Sequence, residues 1–195
     1  MKEDWKPGTL IYPLPAVLVS CGSTPEEYNL LTVGWTGTVC TNPPMCYISV
    51  RPERHSWAII KKNMEFVINL TTSAMARQTD WCGVKSGRDE DKFLSTGLTP
   101  AKARLVSCPI VGESPVSIEC RVREIRSLGS HDMFLADVVN VRVDSSLMDP
   151  RTGHFDLSGA DPLVYVHGQY FHLGELIGKF GFSVQKNAPK TRRRK

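Results

Sequence analysis

Short apolar runs separated by turn-forming residues make up most of the first half of the chain. The runs lie at 16–22, 28–37, 45–52 and 65–70, and they are rich in Val, Ile, Leu and aromatic residues. Runs of this length and composition are typical of β-strands. Between them, STPEE and TNPP carry the Pro and Asn residues that turn a chain. The pattern predicts an antiparallel meander of short strands.

Helical spacing replaces this pattern in two places. HSWAIIKKN at 55–63 carries apolar residues three apart, which predicts a short helix. A second helix is predicted to begin at the N-cap candidate Ser73 and to meet Gly83 and Gly87 as stops. Both predicted helices are insertions between strands.

The second half adds two longer strands, predicted at 116–128 and 132–144 and joined by a Gly-Ser-His turn. A loop rich in Asp, Gly and Pro spans 149–162, and 163–174 predicts one more strand or hairpin. Many short strands with two inserted helices indicate a mainly β protein, a small barrel with helical additions. No long linker divides the chain, so we expect a single domain over residues 1–185.

Charge changes this picture only at the C-terminus. The chain has 24 Lys and Arg against 20 Asp and Glu, a net charge of +4 that suggests nucleic-acid binding. Five of the basic residues lie in the terminal KTRRRK, so the remaining body has a net charge of −1. That balance argues against a nucleic-acid-binding face. Residues 186–195 are expected to form a disordered, solvated basic tail.

Several classes of protein and site are excluded by missing motifs. There is no secretory signal pattern and no long apolar run, so the prediction is a soluble cytoplasmic protein without a membrane association. The six cysteines show no zinc spacing, and no metal site is expected. Hydrolase elbows, a Walker A loop and a G-x-G-x-x-G turn are also missing. A bound nucleotide would therefore need a different fold from the doubly wound one.

Chemistry suited to a phosphorylated, planar ligand concentrates in three segments. In LTVGWTG at 31–37, Gly34 and Gly37 let the backbone approach a ligand, and Trp35 offers a flat surface. Thr36 adds a hydroxyl group. The competing interpretation is that Trp35 simply fills the core.

The second segment, ISVRPERHS at 48–56, resembles an anion site. Ser49 and Arg51 lie two residues apart and so share one side of a strand, and residues 54–56 stand at the predicted start of a helix. Arg, hydroxyl groups and a helix N-terminus together bind anions. A solvated basic turn remains the alternative.

The third segment, SGRDEDKF at 86–93, places Lys92 on a loop opened by glycine among three acidic residues. By itself this pattern is equally consistent with a surface ion pair.

The order of these segments resembles the flavin reductase-like, FMN-binding split-barrel family, especially its flavoredoxin-like branch. The resemblance covers about residues 10–182 and rests on VGWTG, SVRPERHS from Ser49, FVINL ending at Asn69, and SGRDEDKF followed by GLTP. GSHDMFLADVV and LGELIGKFG are also similar to the family's dimer-forming strand and C-terminal segment.

This resemblance implies a six-stranded Greek-key split β-barrel, a homodimer that binds one FMN per subunit near the interface. It places one group of residues beside the isoalloxazine ring, namely Val33, Gly34, Trp35, Thr36 and Gly37. It places a second group around the ribityl chain and phosphate, namely Ser49, Val50, Arg51, His55 and Ser56. Asn69 and Lys92 match further positions near the flavin. The basic tail matches no part of the family pattern.

The leading functional hypothesis is an oxidoreductase in which NADH or NADPH gives a hydride to FMN and electrons pass onward to an acceptor. In that case the cofactor carries the chemistry and no acid–base residue is required. A second hypothesis is an FMN-binding electron carrier that is reduced by a redox partner protein. A third is a non-redox barrel that binds nucleic acid through its basic end, which the charge of the body opposes.

Overall fold

The computed structural model describes residues 1–184, and these form a mainly β fold. The predicted basic tail at 186–195 lies outside the described residues. The strands, in chain order, are β1 (Leu14–Pro15), β2 (Val17–Cys21), β3 (Asn29–Val33), β4 (Thr36–Cys40), β5 (Met45–Val50), β6 (Glu65–Asn69), β7 (Pro100–Ala101), β8 (Ile110–Val111), β9 (Val116–Ser127), β10 (Asp132–Val143), β11 (Val164–Val166) and β12 (Gln169–Phe171).

Seven of these strands form one curled antiparallel sheet in the order β3-β2-β6-β9-β10-β5-β4. The long hairpin of β9 and β10 matches the two long strands that the sequence predicts. The order departs from a simple meander because β6 pairs with β2 and β9 instead of with β5. The mainly β, split-barrel prediction is confirmed, although the main sheet has seven strands and not the six that the resemblance implies.

The predicted strand at 28–37 is wrong as one element, because the chain breaks at Gly34 and Trp35. β3 pairs with β2 at one end of the sheet, whereas β4 pairs with β5 at the other end. The Trp35 carbonyl accepts a hydrogen bond from the Ser49 amide at 2.9 Å, which ties the crossing point to β5. The break therefore opens a cleft between the two ends of the sheet.

Three helices are inserted between the strands: α1 (His55–Asn63), α2 (Ala76–Val84) and α3 (Lys92–Thr96). The predicted helix at 55–63 is confirmed residue for residue. The predicted loop around Lys92 is wrong, since Lys92 is the first residue of α3 and the Asp91 carboxylate caps that helix by accepting from the Leu94 amide.

The predicted start of α2 is wrong, whereas its end at Val84 lies between the two predicted stops, Gly83 and Gly87. Ser73 begins a 3-10 turn, and its hydroxyl donates to Asp161 instead of capping the helix. Gly83 lies inside α2. A methyl group at this position would come within 3.3 Å of Thr32 Cβ on β3. Glycine thus serves close packing of α2 on β3 at this position, not termination.

Burial on both faces explains the mostly apolar sequence of β2, which is buried at every position, including Ser20. One face joins the barrel core with Ile48, Phe66 and Phe134. The other face, through Leu18, packs beneath the two helices that follow β6, with Met75, Cys82 and Phe93. This second cluster fixes α2 and α3 over the edge of the sheet.

A separate three-stranded sheet, in the order β1-β11-β12, lies next to α2. The predicted element at 163–174 is the hairpin of β11 and β12.

Among residues 1–184, the helices are all too short and polar to cross a bilayer.

Candidate functional site

A small cavity of about 170 Å³ lies where α1 begins, and we call it the basic cavity. Four of its side chains carry a positive charge and one carries a negative charge. The lining residues are Asn29, Leu31, Glu53, Arg54, His55, Ser56, Lys85, Ser86, Gly87, Arg88 and Lys92.

The first turn of α1 supplies one wall of the basic cavity. Arg54 is the N-cap residue in an extended conformation, and no side chain caps the helix. The first amides of an uncapped helix are free to bind an anion. Asn29 Nδ2 donates to the buried Ser56 hydroxyl oxygen at 2.7 Å, which fixes the serine from β3.

The ammonium group of Lys92 forms the base of the basic cavity. This residue is only 2% exposed, and its Nζ donates to the Cys82 carbonyl at 2.7 Å. The ammonium has three N–H donors. Within residues 1–184 that is its one hydrogen bond, and the ion pairs there do not include it. The surface ion pair considered for Lys92 is therefore not formed.

A close approach of backbone to side chain holds the loop over this cavity. A methyl group on Gly87 would lie 2.2 Å from Asn29 Oδ1, so only glycine fits there. The loop that carries Arg88 is thereby kept against the asparagine that positions Ser56.

Burial and neighbouring positive charges disfavour the protonated forms of Lys92 and His55 in the basic cavity. Burial lowers the pKa of Lys92, and repulsion by Arg54 lowers it further, against the opposing effects of Cys82 and Cys21. Burial also lowers the pKa of His55, together with the charges of Arg88 and Lys92. A bound anion would relieve this repulsion and restore both pKa values.

A larger cavity of about 410 Å³ continues from the basic cavity, and we call it the aromatic cavity. Leu31 and Arg54 line both cavities, so the two form one elongated cleft. Its lining residues are Tyr12, Leu14, Ala16, Leu31, Thr32, Val33, Gly34, Trp35, Ser49, Val50, Arg51, Arg54, Asp80, Gly83, Val84, His131, Tyr165 and Tyr170.

Aromatic side chains stand at two sides of the larger cavity. Trp35 and His131 pack with ring centroids 4.5 Å apart, and burial lowers the pKa of His131. On another side, Tyr165 and Tyr170 lie 5.4 Å apart between centroids. Rings placed in this way offer flat apolar surfaces to a planar ligand.

Asp80 on α2 anchors the tyrosine wall. The Tyr170 hydroxyl donates to Asp80 Oδ1 at 3.1 Å. Burial, with the nearby carboxylate, raises the pKa of Tyr170 to about 12, so this hydroxyl stays protonated at neutral pH. The hydrogen bond joins β12 to α2 across the mouth of the cavity.

Nine of the twelve sequence-predicted site residues line the cleft. Those in the aromatic cavity are Val33, Gly34, Trp35, Ser49, Val50 and Arg51. Those in the basic cavity are His55, Ser56 and Lys92. The prediction that these segments meet at one site thus matches the geometry, while their roles toward a ligand stay predictions.

The other three predicted residues lie outside both cavities. Thr36 and Gly37 are on β4, and the Thr36 hydroxyl donates to the Tyr47 carbonyl at 2.6 Å. Asn69 is fully buried in the sheet, where it donates to the Leu18 carbonyl and accepts from the Val111 amide. Contacts of these three with a ligand remain expectations from the family resemblance.

The two arginines of the predicted anion segment differ in placement. Arg51 has a half-exposed side chain that lies 3.5 Å from Glu53, in the aromatic cavity. Arg54 lines both cavities, and its Nη1 donates to the Gly83 carbonyl at 3.3 Å. Arg54 is therefore the better placed of the two to span the cleft.

Sequence reasoning missed Asn29, Tyr12, His131 and the tyrosine pair of β11 and β12. Asn29 lies near the start of the predicted strand at 28–37, and His131 lies in the predicted Gly-Ser-His turn. The available signal in both cases was a polar residue at the end of a strand. Nothing local marks the tyrosines, because pairing of β1 with β11 brings them to the cleft from opposite ends of the chain.

Comparison with known proteins agrees with this geometry. Residues 9–174 match the flavin reductase like domain. The flavoredoxin of Desulfovibrio vulgaris (Miyazaki F) has a similar structure, with 30% identity and a TM-score of 0.87 over 95% of this chain and 100% of that one. Flavoredoxin from Methanosarcina acetivorans gives 27% identity and a TM-score of 0.85, again over 95% and 100%.

A curated relative carries a named activity. The FMN reductase (NADH) RutF of Pseudomonas syringae pv. syringae is 24% identical over 72% of this chain and 71% of that protein. With the domain match spanning most of the described residues, the chain belongs to the flavin reductase-like family and has a split-barrel fold.

Proposed function

We propose that the chain binds FMN in the cleft, with the phosphate in the basic cavity and the isoalloxazine ring in the aromatic cavity. The observation that carries this proposal is the buried Lys92 ammonium, which has a single hydrogen bond and no ion pair among the described residues. A buried charge of this kind is costly unless a counter-ion neutralises it. A phosphate group supplies that counter-ion.

The residues of the cleft fit the two ends of FMN. Lys92, Arg54 and the free amides at the start of α1 would hold the phosphate, with Ser56 fixed by Asn29. Trp35 would flank the ring, and Gly34 would let the backbone come close to it. Val33 would also border the ring, and Ser49, Val50 and Arg51, which line the same cavity, would surround the ribityl chain.

The proposed activity is that of an NAD(P)H-dependent oxidoreductase. When bound, FMN would supply hydride and electron transfer, which protein side chains do not provide. The side chains of the cleft orient the ring and shield it from water, and Lys92 and Arg54 supply positive charge at one end. The similarity to an FMN reductase (NADH) supports a pyridine nucleotide as the electron donor.

Two measurements, made one after the other, test this function. The purified protein should show the visible absorption of bound FMN, and a colourless protein that takes up no FMN would refute the proposal. Under anaerobic conditions, NADH or NADPH should then bleach that absorption. Bleaching by neither nucleotide would refute the reductase activity while leaving FMN binding intact.

The whole-chain likeness to flavoredoxin favours a second candidate, an FMN-binding electron carrier. In this case a protein partner, not NAD(P)H, would reduce the flavin. The same experiment separates the candidates, because a carrier would be bleached by dithionite and by neither nucleotide.

We also propose a cytoplasmic homodimer. The C-terminal segment after β12 supports it, because Leu176, Ile177 and Phe180 are each more than three-quarters exposed. Apolar side chains grouped in this way are typical of a surface that another chain covers. Light scattering coupled to size-exclusion chromatography should give twice the mass of 21.7 kDa, and a monomer would refute the dimer.

A further inference from the structure

A third cavity lies far from the cleft and takes no part in the proposed FMN site. It has a volume of about 540 Å³, and we call it the distal cavity. β10 is 12 residues long; its first residue follows His131, which lines the aromatic cavity, and Arg142 is its last residue but one. At the rise of a β-strand, about 30 Å of strand separates the two places. The lining residues of the distal cavity are Lys102, Ala103, Arg104, Asn140, Val141 and Arg142.

The distal cavity carries three positive charges and no balancing carboxylate. Lys102, Arg104 and Arg142 are exposed, and no acidic residue of the described chain lines the cavity with them. Within residues 1–184 none of the three forms an ion pair. Like charges that stand close together repel one another, so an anion bound among them is stabilised.

A hydrogen bond between the two walls of the cavity holds one of these cations in place. The loop at 102–109, between β7 and β8, forms one wall, and β10 forms the other. Arg142 Nη1 donates from β10 to the Lys102 carbonyl at 2.8 Å. A guanidinium group has five N–H donors, and this is the one hydrogen bond of the Arg142 side chain among residues 1–184. The remaining donors are free to bind a ligand.

A buried carboxylate behind the loop fixes the position of Arg104. Glu119 is fully buried, and its Oε1 accepts from the Arg104 amide at 3.0 Å and from the Asn140 side chain at 2.8 Å. Its Oε2 accepts from the Leu105 amide at 2.6 Å. Burial acts to raise the pKa of Glu119, but these hydrogen bonds and the charge of Arg142 lower it overall. The ionised carboxylate therefore binds the loop to the β9–β10 hairpin and leaves the Arg104 side chain free.

Two more charged side chains fix the next part of the same loop. Arg121 Nη2 donates to the Leu105 carbonyl at 2.6 Å, and Glu65 Oε2 accepts from the Ser107 amide at 2.8 Å. The loop at 102–109 has no helix or strand of its own, so these contacts satisfy backbone groups that regular structure would otherwise pair. A wall that is already fixed loses little conformational entropy when a ligand binds.

The size and the donors of the distal cavity define the class of ligand. Its volume is within the range of small-molecule sites and leaves room for several phosphate groups. Guanidinium groups bind phosphate oxygens through paired N–H donors, and Arg104 and Arg142 supply two such groups beside the Lys102 ammonium. We propose that the distal cavity binds a chain of two or more linked phosphate groups, as in inorganic polyphosphate or a nucleoside triphosphate. This site is independent of FMN binding.

The test is a titration of the full chain with inorganic tripolyphosphate at fixed ionic strength, followed by two-dimensional NMR of the backbone amides. We expect saturable shifts at the Arg104 and Leu105 amides, which lie at this cavity, whereas anion binding in the basic cavity shifts other resonances. Arg104→Gln keeps the amide that Glu119 holds and removes the guanidinium, so it should weaken binding at least about tenfold, read at Leu105. Arg126→Gln, at an exposed position on β9 outside the distal cavity, is the matched control and should stay within about twofold of wild type.

Two further ligands identify the source of the phosphate chain. Inorganic phosphate should bind at least about tenfold more weakly than tripolyphosphate, because a single phosphate group meets fewer of the three cations. ATP carries the same chain on a nucleoside. An affinity for ATP at least about tenfold above that for tripolyphosphate would assign the site to a nucleoside triphosphate, and an equal or lower affinity would assign it to inorganic polyphosphate.

Three outcomes would overturn the inference. They are the lack of saturable shifts at Arg104 and Leu105 in wild type, equal tripolyphosphate affinity of wild type and Arg104→Gln, and equal affinity for inorganic phosphate and tripolyphosphate. Lys92→Met should leave the shifts at Arg104 and Leu105 unchanged even where it abolishes FMN binding, so the two sites are tested separately.

Discussion

The two ends of the cleft are built in different ways. The basic cavity draws its charged side chains from residues 53–92, at the start of α1, in the loop around Gly87 and at the first residue of α3. The aromatic cavity is assembled from distant segments, since Tyr12 and Tyr165 meet only through the pairing of β1 with β11. The comparison indicates that the proposed phosphate end depends on charges from one stretch of the chain, whereas the proposed ring end depends on the pairing of segments from both ends of the chain.

Substitution of Lys92 should have the largest effect on FMN affinity. Lys92→Met removes the buried ammonium and a charge-assisted hydrogen bond, so the Kd for FMN should rise by about 30- to 100-fold. Fluorescence quenching of FMN measures this change. Lys102→Met, which lies outside the cleft, should leave the Kd unchanged, and equal effects of the two variants would contradict the phosphate position.

The aromatic end should respond to loss of Trp35 with a smaller effect. Trp35→Ala removes one flat wall of the aromatic cavity, and we expect the Kd values for FMN and riboflavin to rise together by about tenfold. Trp5→Ala, at a highly exposed position outside the cleft, is the control. A loss of FMN affinity without a loss of riboflavin affinity would show that Trp35 acts at the phosphate end, which would contradict its assignment to the ring.

The two arginines test whether position or charge alone decides the contribution. Arg54→Gln should raise the Kd for FMN by about fivefold because Arg54 lines both cavities. Arg51→Gln should raise it by about twofold, since Arg51 is half exposed beside Glu53. Titration of both variants with FMN gives the order, and the reverse order would favour Arg51 as the phosphate ligand.

The smallest predicted effect is a pH dependence carried by His55. The pKa of His55 is lowered in the free protein, and a bound phosphate would raise it. Between the two pKa values the complex therefore binds more protons than the free protein, and affinity rises as pH falls. The variant His55→Gln keeps His131, and FMN titrates in the same way with both proteins. The difference between the pH dependence of wild type and that of the variant therefore isolates the contribution of His55.

From pH 8 to pH 6, wild type should gain about 1.5-fold in FMN affinity relative to His55→Gln. Fluorescence titrations of both proteins across this range measure the difference. Parallel pH profiles would remove His55 from the site.

What the sequence predicted follows the same division between local and tertiary features. The helix at 55–63 and the three segments that line much of the cleft were predicted because their signals are short-range. The break at Gly34 was not, because β3 and β4 pair with strands at opposite ends of the sheet. From the residues alone, Lys92 was equally consistent with a surface ion pair, because its burial depends on α2 and α3 packing over β2 and β3.

The most direct test of the phosphate assignment is the ratio of riboflavin to FMN dissociation constants, measured for wild type and Lys92→Met. Riboflavin lacks the phosphate, so wild type should prefer FMN by at least about 30-fold. In Lys92→Met that ratio should fall by at least about 30-fold while the Kd for riboflavin stays within about twofold of wild type. An undiminished preference for FMN in Lys92→Met would show that the phosphate does not bind in the basic cavity.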